Sequence, residues 1–153
     1  MPRFGLATLN HSPPHGLPTQ WEAHLDAALE AGYDAIAPDI FWLRALEAEG
    51  VALEAVSEGL RARGLDCMEL AGIAIGDEET TRRELEENLR YAQALQAEFV
   101  NARILEPIDD AVVARVRHCA RAFRDEGTRE GGTRLALEFS SGSKLSTLRV
   151  RVL

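Results

Sequence analysis

The sequence lacks three features that would place it in particular classes of protein. Its 17 Lys and Arg residues are outnumbered by 25 Asp and Glu, and the net charge of −8 argues against binding to the phosphates of nucleic acids. No apolar run approaches the roughly 20 residues of a transmembrane helix, and the N-terminus lacks the basic and apolar segments of a signal peptide. We therefore predict a cytoplasmic protein without a nucleic-acid or membrane partner.

Cysteine is also scarce. The two cysteines, Cys67 and Cys119, fall in a predicted strand and a predicted helix. Because cytoplasmic thiols are kept reduced, we predict reduced thiols in the core or on a helix face rather than a disulfide or a metal-binding pair.

Several motifs of nucleotide-binding proteins and hydrolases are absent. The sequence has no GxGxxG, no phosphate-binding loop, no HExxH and no GxSxG nucleophile elbow. Dinucleotide, nucleoside triphosphate and serine-hydrolase functions therefore lack their usual support.

What the sequence does contain is a strand and helix unit that repeats along its length. Apolar runs typical of buried parallel strands begin near Phe4, Tyr33, Leu65, Phe99 and Leu135, at spacings of 29, 32, 34 and 36 residues. A parallel strand with its crossover helix and loops takes about 30 residues. Eight such units close a (β/α)8 barrel of about 250 residues. The 153 residues therefore predict a partial TIM barrel, an α/β half-barrel with about five parallel strands and four to five helices.

The predicted elements alternate, and no hairpin signal interrupts them. The predicted strands are 3–9, 33–40, 65–70, 99–104 and 135–139. The stretch 71–77 is predicted to be a loop, and a short helix is predicted over 41–49. Residues 1–153 form a single domain in this scheme, with a poorly specified tail over 140–153.

Helix boundaries follow from capping residues. Thr19 with Glu22, and Thr81 with Glu84, have the spacing of a capping box, which predicts that helices begin at these two threonines. Gly32 is predicted to end the first helix, because glycine readily adopts the left-handed conformation found there.

Polar residues near the carboxyl ends of the strands are the candidates for function, because parallel α/β folds bind ligands at that edge. These residues are Asn10, His11, His15, Asp39, Glu69, Asn101, Arg103 and Glu138. Four of them are predicted to bind substrate, namely Asn10, Asp39, Glu69 and Arg103. An alternative role for Asp39 and Glu69 is to cap the following helix or to pair with an arginine.

Glu138 is the strongest candidate. It lies between Leu137 and Phe139 in an apolar run, so its carboxylate must be paired, hydrated or bound to a cation. A carboxylate at the carboxyl end of a strand suits Mg²⁺ or Mn²⁺, which prefer oxygen ligands. The alternative is an ion pair with Arg103 or Lys144.

The histidines give a weaker signal. His11 and His15 are four residues apart, but the prolines between them exclude a helix and therefore a helical metal-binding pair. We predict that His11 lies near the site and binds substrate or moves a proton. His24 and His118 fall on predicted helices away from the strand ends and are expected to be surface residues.

Five segments carry a resemblance to a known family. They are FGLATLN, LDAALEAGYDAIAPD, GLRARGLDCMEL, ELEENLRYAQALQAEFVNARI and RLALEF. In order and spacing they resemble the xylose isomerase-like TIM-barrel family, in particular its sugar phosphate isomerase/epimerase branch. The resemblance covers residues 3 to about 148, but only about the first half of a family barrel.

The resemblance implies an isomerase or epimerase that acts on a sugar or sugar phosphate. In that family the glutamate that ends strand five binds a divalent metal such as Mg²⁺ or Mn²⁺, and in the epimerases it is also an acid/base; both roles fall on Glu138. The metal binds the carbonyl and hydroxyl oxygens of the substrate, and a glutamate removes the intervening proton to form an enediolate.

The resemblance also implies that the site is incomplete. The other metal ligands of the family come from strands six, seven and eight, which we do not expect in 153 residues. The segment SSGSK after Glu138 also lacks a further substrate-binding carboxylate that some epimerases have. We therefore expect metal binding to be weak or absent in this chain, and its activity to be low or absent.

Three alternatives remain open from the sequence. One is a related AP endonuclease-like or other metal hydrolase, against which the acidic balance and the lack of histidines at strands two and three argue. Another is a non-catalytic half-barrel that self-associates, for example as a homodimer, through its open sheet edges. The last is a five-stranded doubly wound domain, in which helices would cover both faces of the sheet.

Overall fold

The strands of the protein follow one another in space in the order of the chain. The computed structural model describes residues 2–138. The strands are β1 (Gly5–Ala7), β2 (Ala35–Ala37), β3 (Asp66–Cys67), β4 (Glu69–Ile75), β5 (Phe99–Ile104) and β6 (Arg134–Leu137). The α-helices are α1 (Trp21–Glu30), α2 (Ile40–Ala48), α3 (Leu53–Ala62), α4 (Glu78–Leu95) and α5 (Asp110–Glu126). Two 3-10 turns, Leu9–His11 and Pro13–His15, follow β1.

All strand pairs are parallel, and the strands lie in two three-stranded sheets that together form an arc. β1, β2 and β3 are neighbours in that order, as are β4, β5 and β6. The two sheets adjoin because only Met68 separates β3 from β4, and its backbone accepts from the amide of Phe99 and donates to the carbonyl of Ile36. A doubly wound sheet reverses its strand order at a switch point, whereas a barrel does not. The observed order therefore confirms a partial TIM barrel and is inconsistent with the doubly wound alternative.

The helices cover one face of this arc. On β5, Val100, Ala102 and Ile104 are buried, whereas Asn101 is only half-buried and Arg103 is exposed. The period of two places the first set under the helices and the second set on the concave face. Within residues 2–138, no helix is both long and apolar enough to cross a membrane.

Two predicted elements are confirmed and one is wrong. The strand predicted over 99–104 is β5, and the helix predicted over 41–49 is α2. The third predicted strand does not stop at residue 70, because β4 continues to Ile75 through residues predicted to be a loop. The small residues of this stretch favour a loop locally, but pairing with β5 along its length holds it in the sheet. Phe139 and the predicted tail lie outside the described residues.

Both predicted capping boxes are wrong, and each is replaced by a different hydrogen bond. Thr19 donates its hydroxyl hydrogen to Glu49, and α1 begins two residues later. α4 begins at Glu78, where Asp77 is the N-cap and accepts from the amide of Thr80 at 2.7 Å. Thr81 therefore lies inside the helix, and its hydroxyl bonds to the backbone of Gly76. By contrast, Gly32 follows the end of α1 with a positive φ of 78°, as predicted.

The prediction for the cysteines is confirmed. Cys67 and Cys119 are both buried and unpaired. Burial disfavours the thiolate, so it raises the pKa of Cys119 to about 11 and raises the pKa of Cys67 as well. Neither thiol is therefore a candidate nucleophile.

Candidate functional site

A cleft of about 270 Å³ lies at the carboxyl ends of the strands, where the loops converge. Its lining combines small or apolar residues of β4 with polar side chains from several elements. The polar residues that line it are Asp39, Arg44, Glu84, Asn101, Arg103 and Glu138. Four of the eight candidates from the sequence, Asp39, Asn101, Arg103 and Glu138, therefore meet at one cleft.

Glu138 follows β6 directly and is exposed. Its amide donates to the carbonyl of Ala102 at 2.9 Å, and Leu137 is paired with Ala102. Glu138 therefore stands opposite Arg103 on the neighbouring strand, at a separation of about 4.8 Å between strands. The ion pairs of the described residues include neither of these two side chains. The alternative partner Lys144 lies outside the described residues.

Asp39 is a helix cap rather than an open carboxylate. It is only 1% exposed, and its Oδ1 accepts from the amides of Phe41 and Trp42 at 3.0 and 3.1 Å. Its Oδ2 accepts from the hydroxyl of Thr8 at 2.7 Å, and the Asp39 amide donates back to that hydroxyl oxygen at 2.9 Å. Both carboxylate oxygens are therefore engaged in fixing the start of α2 against the end of β1.

Glu69 does not lie where the sequence predicted. It begins β4 instead of ending the third strand, and it does not line the cleft. Its Oε1 accepts from Nδ2 of Asn101 at 3.0 Å, which orients the Asn101 amide. Oδ1 of Asn101 is buried and has no hydrogen-bond partner within the described residues. Asn101 is thus a site residue that the predicted substrate-binding set omitted, although its place on the open face of β5 follows from strand alternation.

Gly72 shapes the floor of the cleft. The pairing of β4 with β5 shifts register between Ala71 and Ile73, so Gly72 is the extra residue of a β-bulge. A Cβ atom at Gly72 would lie 1.9 Å from the carbonyl oxygen of Asn101. Only glycine therefore allows β5 to approach β4 this closely beside the cleft.

Arg44 lines the cleft but is bound to a neighbouring helix. Its Nε donates to Oε1 of Glu87 on α4 at 2.9 Å, and this hydrogen bond lowers the pKa of Glu87 below its usual value. Arg103 makes no such pair within the described residues. Arg103 is therefore the better placed guanidinium for a ligand in the cleft.

The two 3-10 turns after β1 hold the remaining candidates, with Asn10 and His11 on the first and His15 on the second. Asn10 and His11 are exposed and do not line the cleft, whereas Leu9 on the same turn does. The His11 ring lies 5.3 Å from the ring of His24, measured between centroids. The prediction of a surface position for His24 is wrong, since this side chain is half-buried and accepts at Nδ1 from Trp42 Nε1 at 3.3 Å.

A complete metal site is not present in residues 2–138. No group of three or more His, Cys, Asp or Glu side chains in this part of the chain is placed to hold an ion. Glu138 alone offers a carboxylate that is exposed at the cleft and outside the described ion pairs. One carboxylate is too few for the near-octahedral oxygen shell that Mg²⁺ requires.

Solved structures share this fold. A xylose isomerase domain protein from Alicyclobacillus acidocaldarius subsp. acidocaldarius is 25% identical, with a TM-score of 0.61 over 96% of this chain and 53% of that chain. A D-allulose 3-epimerase from Methylomonas sp., in complex with D-allulose, is 15% identical, with a TM-score of 0.57 over 88% and 50%. An IolI protein with a bound zinc atom is 14% identical, with a TM-score of 0.64 over 90% and 51%.

The fold is not confined to sugar isomerases. An AP endonuclease of family 2 from Brucella melitensis is 18% identical, with a TM-score of 0.60 over 90% of this chain and 55% of that chain. No family model matches the sequence, and no curated protein does. The chain spans about half the length of each of these four structures. It therefore has the fold of the xylose isomerase-like TIM-barrel proteins over about half of their length.

Proposed function

We propose that this chain carries part of the active site of a divalent-metal-dependent sugar or sugar phosphate isomerase or epimerase. The observation that carries the proposal is the position of Glu138, which ends β6 at the cleft and stands opposite Arg103. The similarity to a xylose isomerase domain protein and to an epimerase with bound D-allulose supports this reaction class.

The residues of the cleft suit a polyhydroxylated ligand. Arg103 offers several N–H donors that suit hydroxyl or phosphate oxygens. Glu138 offers a carboxylate that binds a cation or accepts a proton. Asp39 and Glu69 are proposed to act indirectly, since Asp39 fixes the start of α2 and Glu69 orients Asn101.

The turn after β1 is proposed to complete the substrate side of the cleft. His11 is the proposed second catalytic residue, and Asn10 is a proposed substrate-binding residue. Both lie on the 3-10 turn whose Leu9 already lines the cleft. Their proposed roles require this turn to approach the bound sugar.

A divalent metal is the proposed cofactor of this site. A bound zinc atom in the IolI structure favours a metal in proteins of this fold. In this chain, Glu138 would be one ligand, and residues 2–138 contain no group of three or more His, Cys, Asp or Glu side chains that could hold an ion. We therefore propose that the 153-residue chain alone binds metal weakly and has little or no isomerase activity.

Replacement of Glu138 by glutamine tests the assignment. Titration calorimetry of the purified chain with Mn²⁺ is expected to show weak binding, and Glu138→Gln is expected to weaken it at least tenfold further, because the amide loses the charge that attracts the cation. Glu58→Gln, a change on α3 away from the cleft, is the matched control and is expected to leave binding unchanged. Equal Mn²⁺ affinity in the wild type and Glu138→Gln would remove the support for Glu138 as a ligand.

Turnover is measured on the same samples. Conversion of D-allulose to its C3 epimer by the purified chain is expected to be absent or close to background. Clear turnover that is lost in Glu138→Gln would show instead that this chain is an active enzyme by itself.

The second candidate is a non-catalytic half-barrel that self-associates. Within the described residues, β1 and β6 are the outer strands of the arc and have no strand beyond them. Phe4, next to β1, is 61% exposed. Open parallel edges with exposed apolar side chains favour association.

Sedimentation equilibrium distinguishes this candidate. A concentration-dependent dimer that weakens when Phe4 is replaced by Ser would support pairing through the β1 edge, because the substitution removes exposed apolar area next to that edge. A monomer over the whole accessible concentration range would contradict self-association. Leu29→Ser is the control, since Leu29 is also exposed but lies on α1.

A further inference from the structure

A small cluster of rings connects the turn after β1 to the first two helices. It consists of His11 on the turn, His24 on α1 and Trp42 on α2. Trp42 is fully buried, and its Nε1–H donates to Nδ1 of His24 at 3.3 Å. The centroids of the His11 and His24 rings are 5.3 Å apart. His24 therefore sits at the point where the turn, α1 and α2 meet.

The hydrogen bond specifies the protonation state of His24. An indole nitrogen can only donate, so Nδ1 of His24 must carry a lone pair and the ring hydrogen must be on Nε2. Protonation of the ring would place a hydrogen on Nδ1, facing the Trp42 N–H. The bond would then be lost, and a buried donor would be left without an acceptor.

The surroundings of His24 oppose its positive charge. Partial burial removes water that would solvate an imidazolium, and His11 adds repulsion when it is itself charged; together they hold the pKa of His24 below its usual value. His11 is the titratable group that faces His24 from the turn, and Trp42, which faces it from α2, does not titrate. Neither supplies a negative charge that would stabilise the protonated ring.

The contacts of this cluster extend to the cleft. Leu9 is on the same 3-10 turn as His11 and lines the cleft. The amide of Trp42 is one of the two held by Asp39, which also lines the cleft. His24 is therefore linked to the lining of the cleft in two ways. One link is the turn that carries Leu9, and the other is the Trp42 amide that Asp39 holds.

We propose that His24 is a pH-sensitive switch that holds the turn Leu9–His11 against α1 and α2 when neutral and releases it when protonated. In the neutral state the Trp42 bond and the ring contact with His11 join the three segments. In acid, the Trp42 bond breaks, and the charged His24 ring is repelled by His11, whose ring centroid is 5.3 Å away. The switch concerns this cluster alone and does not depend on the proposed enzymatic reaction.

The sign of the effect on stability follows from proton linkage. A lowered pKa in the folded state means that the unfolded chain binds the proton more readily. The free energy of unfolding therefore falls as the pH is lowered through the ordinary pKa of histidine, about 6.5. The fall ends once His24 is protonated in the folded protein as well.

The test uses the fluorescence of Trp42 in a Trp21→Phe background, since these are the two tryptophans of the chain. Between about pH 8 and pH 4.5, Trp42 emission is expected to titrate with a midpoint below the ordinary histidine pKa of about 6.5. Amide hydrogen exchange of the turn Leu9–His11, corrected for its intrinsic pH dependence, is expected to accelerate at the same midpoint.

Two variants separate the switch from general acid unfolding. His24→Gln keeps an oxygen that accepts from Trp42 but does not titrate, so both signals are expected to lose their transition. His11→Asn removes the repelling ring, so the midpoint is expected to move upward. An unchanged transition in His24→Gln, or a turn whose exchange does not respond at the Trp42 midpoint, would overturn the proposal.

If His24→Gln does not fold, the tautomer of His24 in the wild-type chain still tests the switch. Nitrogen-15 spectra of the imidazole groups at neutral pH report which ring nitrogen carries the hydrogen. An Nε2–H tautomer for His24 that converts to the charged ring at the fluorescence midpoint supports the switch. An Nδ1–H tautomer contradicts it, because that form cannot accept from Trp42.

Discussion

Replacement of Gly72 by alanine is expected to break the native pairing of β4 with β5 and to destabilise the protein by more than about 4 kcal/mol. The added Cβ would lie 1.9 Å from the carbonyl oxygen of Asn101 and 2.9 Å from both the carbonyl carbon of Asn101 and the carbonyl oxygen of Leu70. All three are backbone atoms, so no side-chain rotation relieves the overlap. The two strands must separate or the bulge must be lost.

Urea denaturation followed by circular dichroism measures this effect. Gly76→Ala is the matched control, because a Cβ there would make ordinary contacts at 3.5 Å with side-chain atoms of Leu105 and Thr80. Its stability is expected to stay within about 1 kcal/mol of the wild type. A Gly72→Ala protein with an unchanged denaturation midpoint would show that the bulge is not held as described.

Replacement of Asp39 by alanine is expected to lower the free energy of unfolding by about 3 kcal/mol. Loss of the cap that holds the Phe41 and Trp42 amides accounts for about 1 to 2 kcal/mol. The buried hydroxyl of Thr8 also loses the oxygen that accepts its hydrogen, which adds about 1 to 3 kcal/mol. Asp39→Asn is expected to cost less, because one side-chain oxygen can still cap the helix.

Asp77→Ala is the comparison for this prediction. Asp77 caps α4 with a similar bond, to the amide of Thr80 at 2.7 Å, but it is exposed. Its replacement is expected to cost less stability than that of Asp39, because it removes a cap without leaving a buried hydroxyl unpaired. If thermal or urea unfolding shows Asp39→Ala to be no more damaging than Asp77→Ala, the buried contact with Thr8 is not the source of stability inferred here.

The Asp39 result bears on any activity measurement. A carboxylate at the carboxyl end of a strand invites a catalytic interpretation from sequence alone. Here both of its oxygens already accept hydrogen bonds from the protein. A loss of activity in Asp39→Ala would therefore indicate that α2 has moved and the cleft has changed shape. It would not by itself show that Asp39 takes part in the reaction.

The sequence by itself determined the order of the elements, the bounds of β5 and the position of Glu138 at the edge where the cleft forms. These depend on local patterns. A repeat of about 30 residues specifies parallel strands with crossover helices, and the alternation in VNARI places Asn101 and Arg103 on the face opposite to Val100, Ala102 and Ile104.

Tertiary structure decided where the third predicted strand ends, which the local pattern of residues did not determine. The stretch from Ala71 to Ile75 resembles a loop in sequence, but β5, about 30 residues further on, pairs with it and makes it a strand with a bulge at Gly72. Glu69 was therefore assigned to the wrong end of its strand.

The same holds for the caps and for His24, where distant partners compete with local ones. The hydroxyl of Thr19 donates to Glu49, 30 residues away, instead of capping α1. His24 accepts a hydrogen bond from Trp42, 18 residues away, and is therefore half-buried rather than exposed. Period and propensity concern neighbours within a few residues, so they determine which segments become strands and helices. The partner of each polar side chain is decided only when folding brings distant residues into hydrogen-bonding distance, because a buried polar group must find an acceptor or donor wherever one lies.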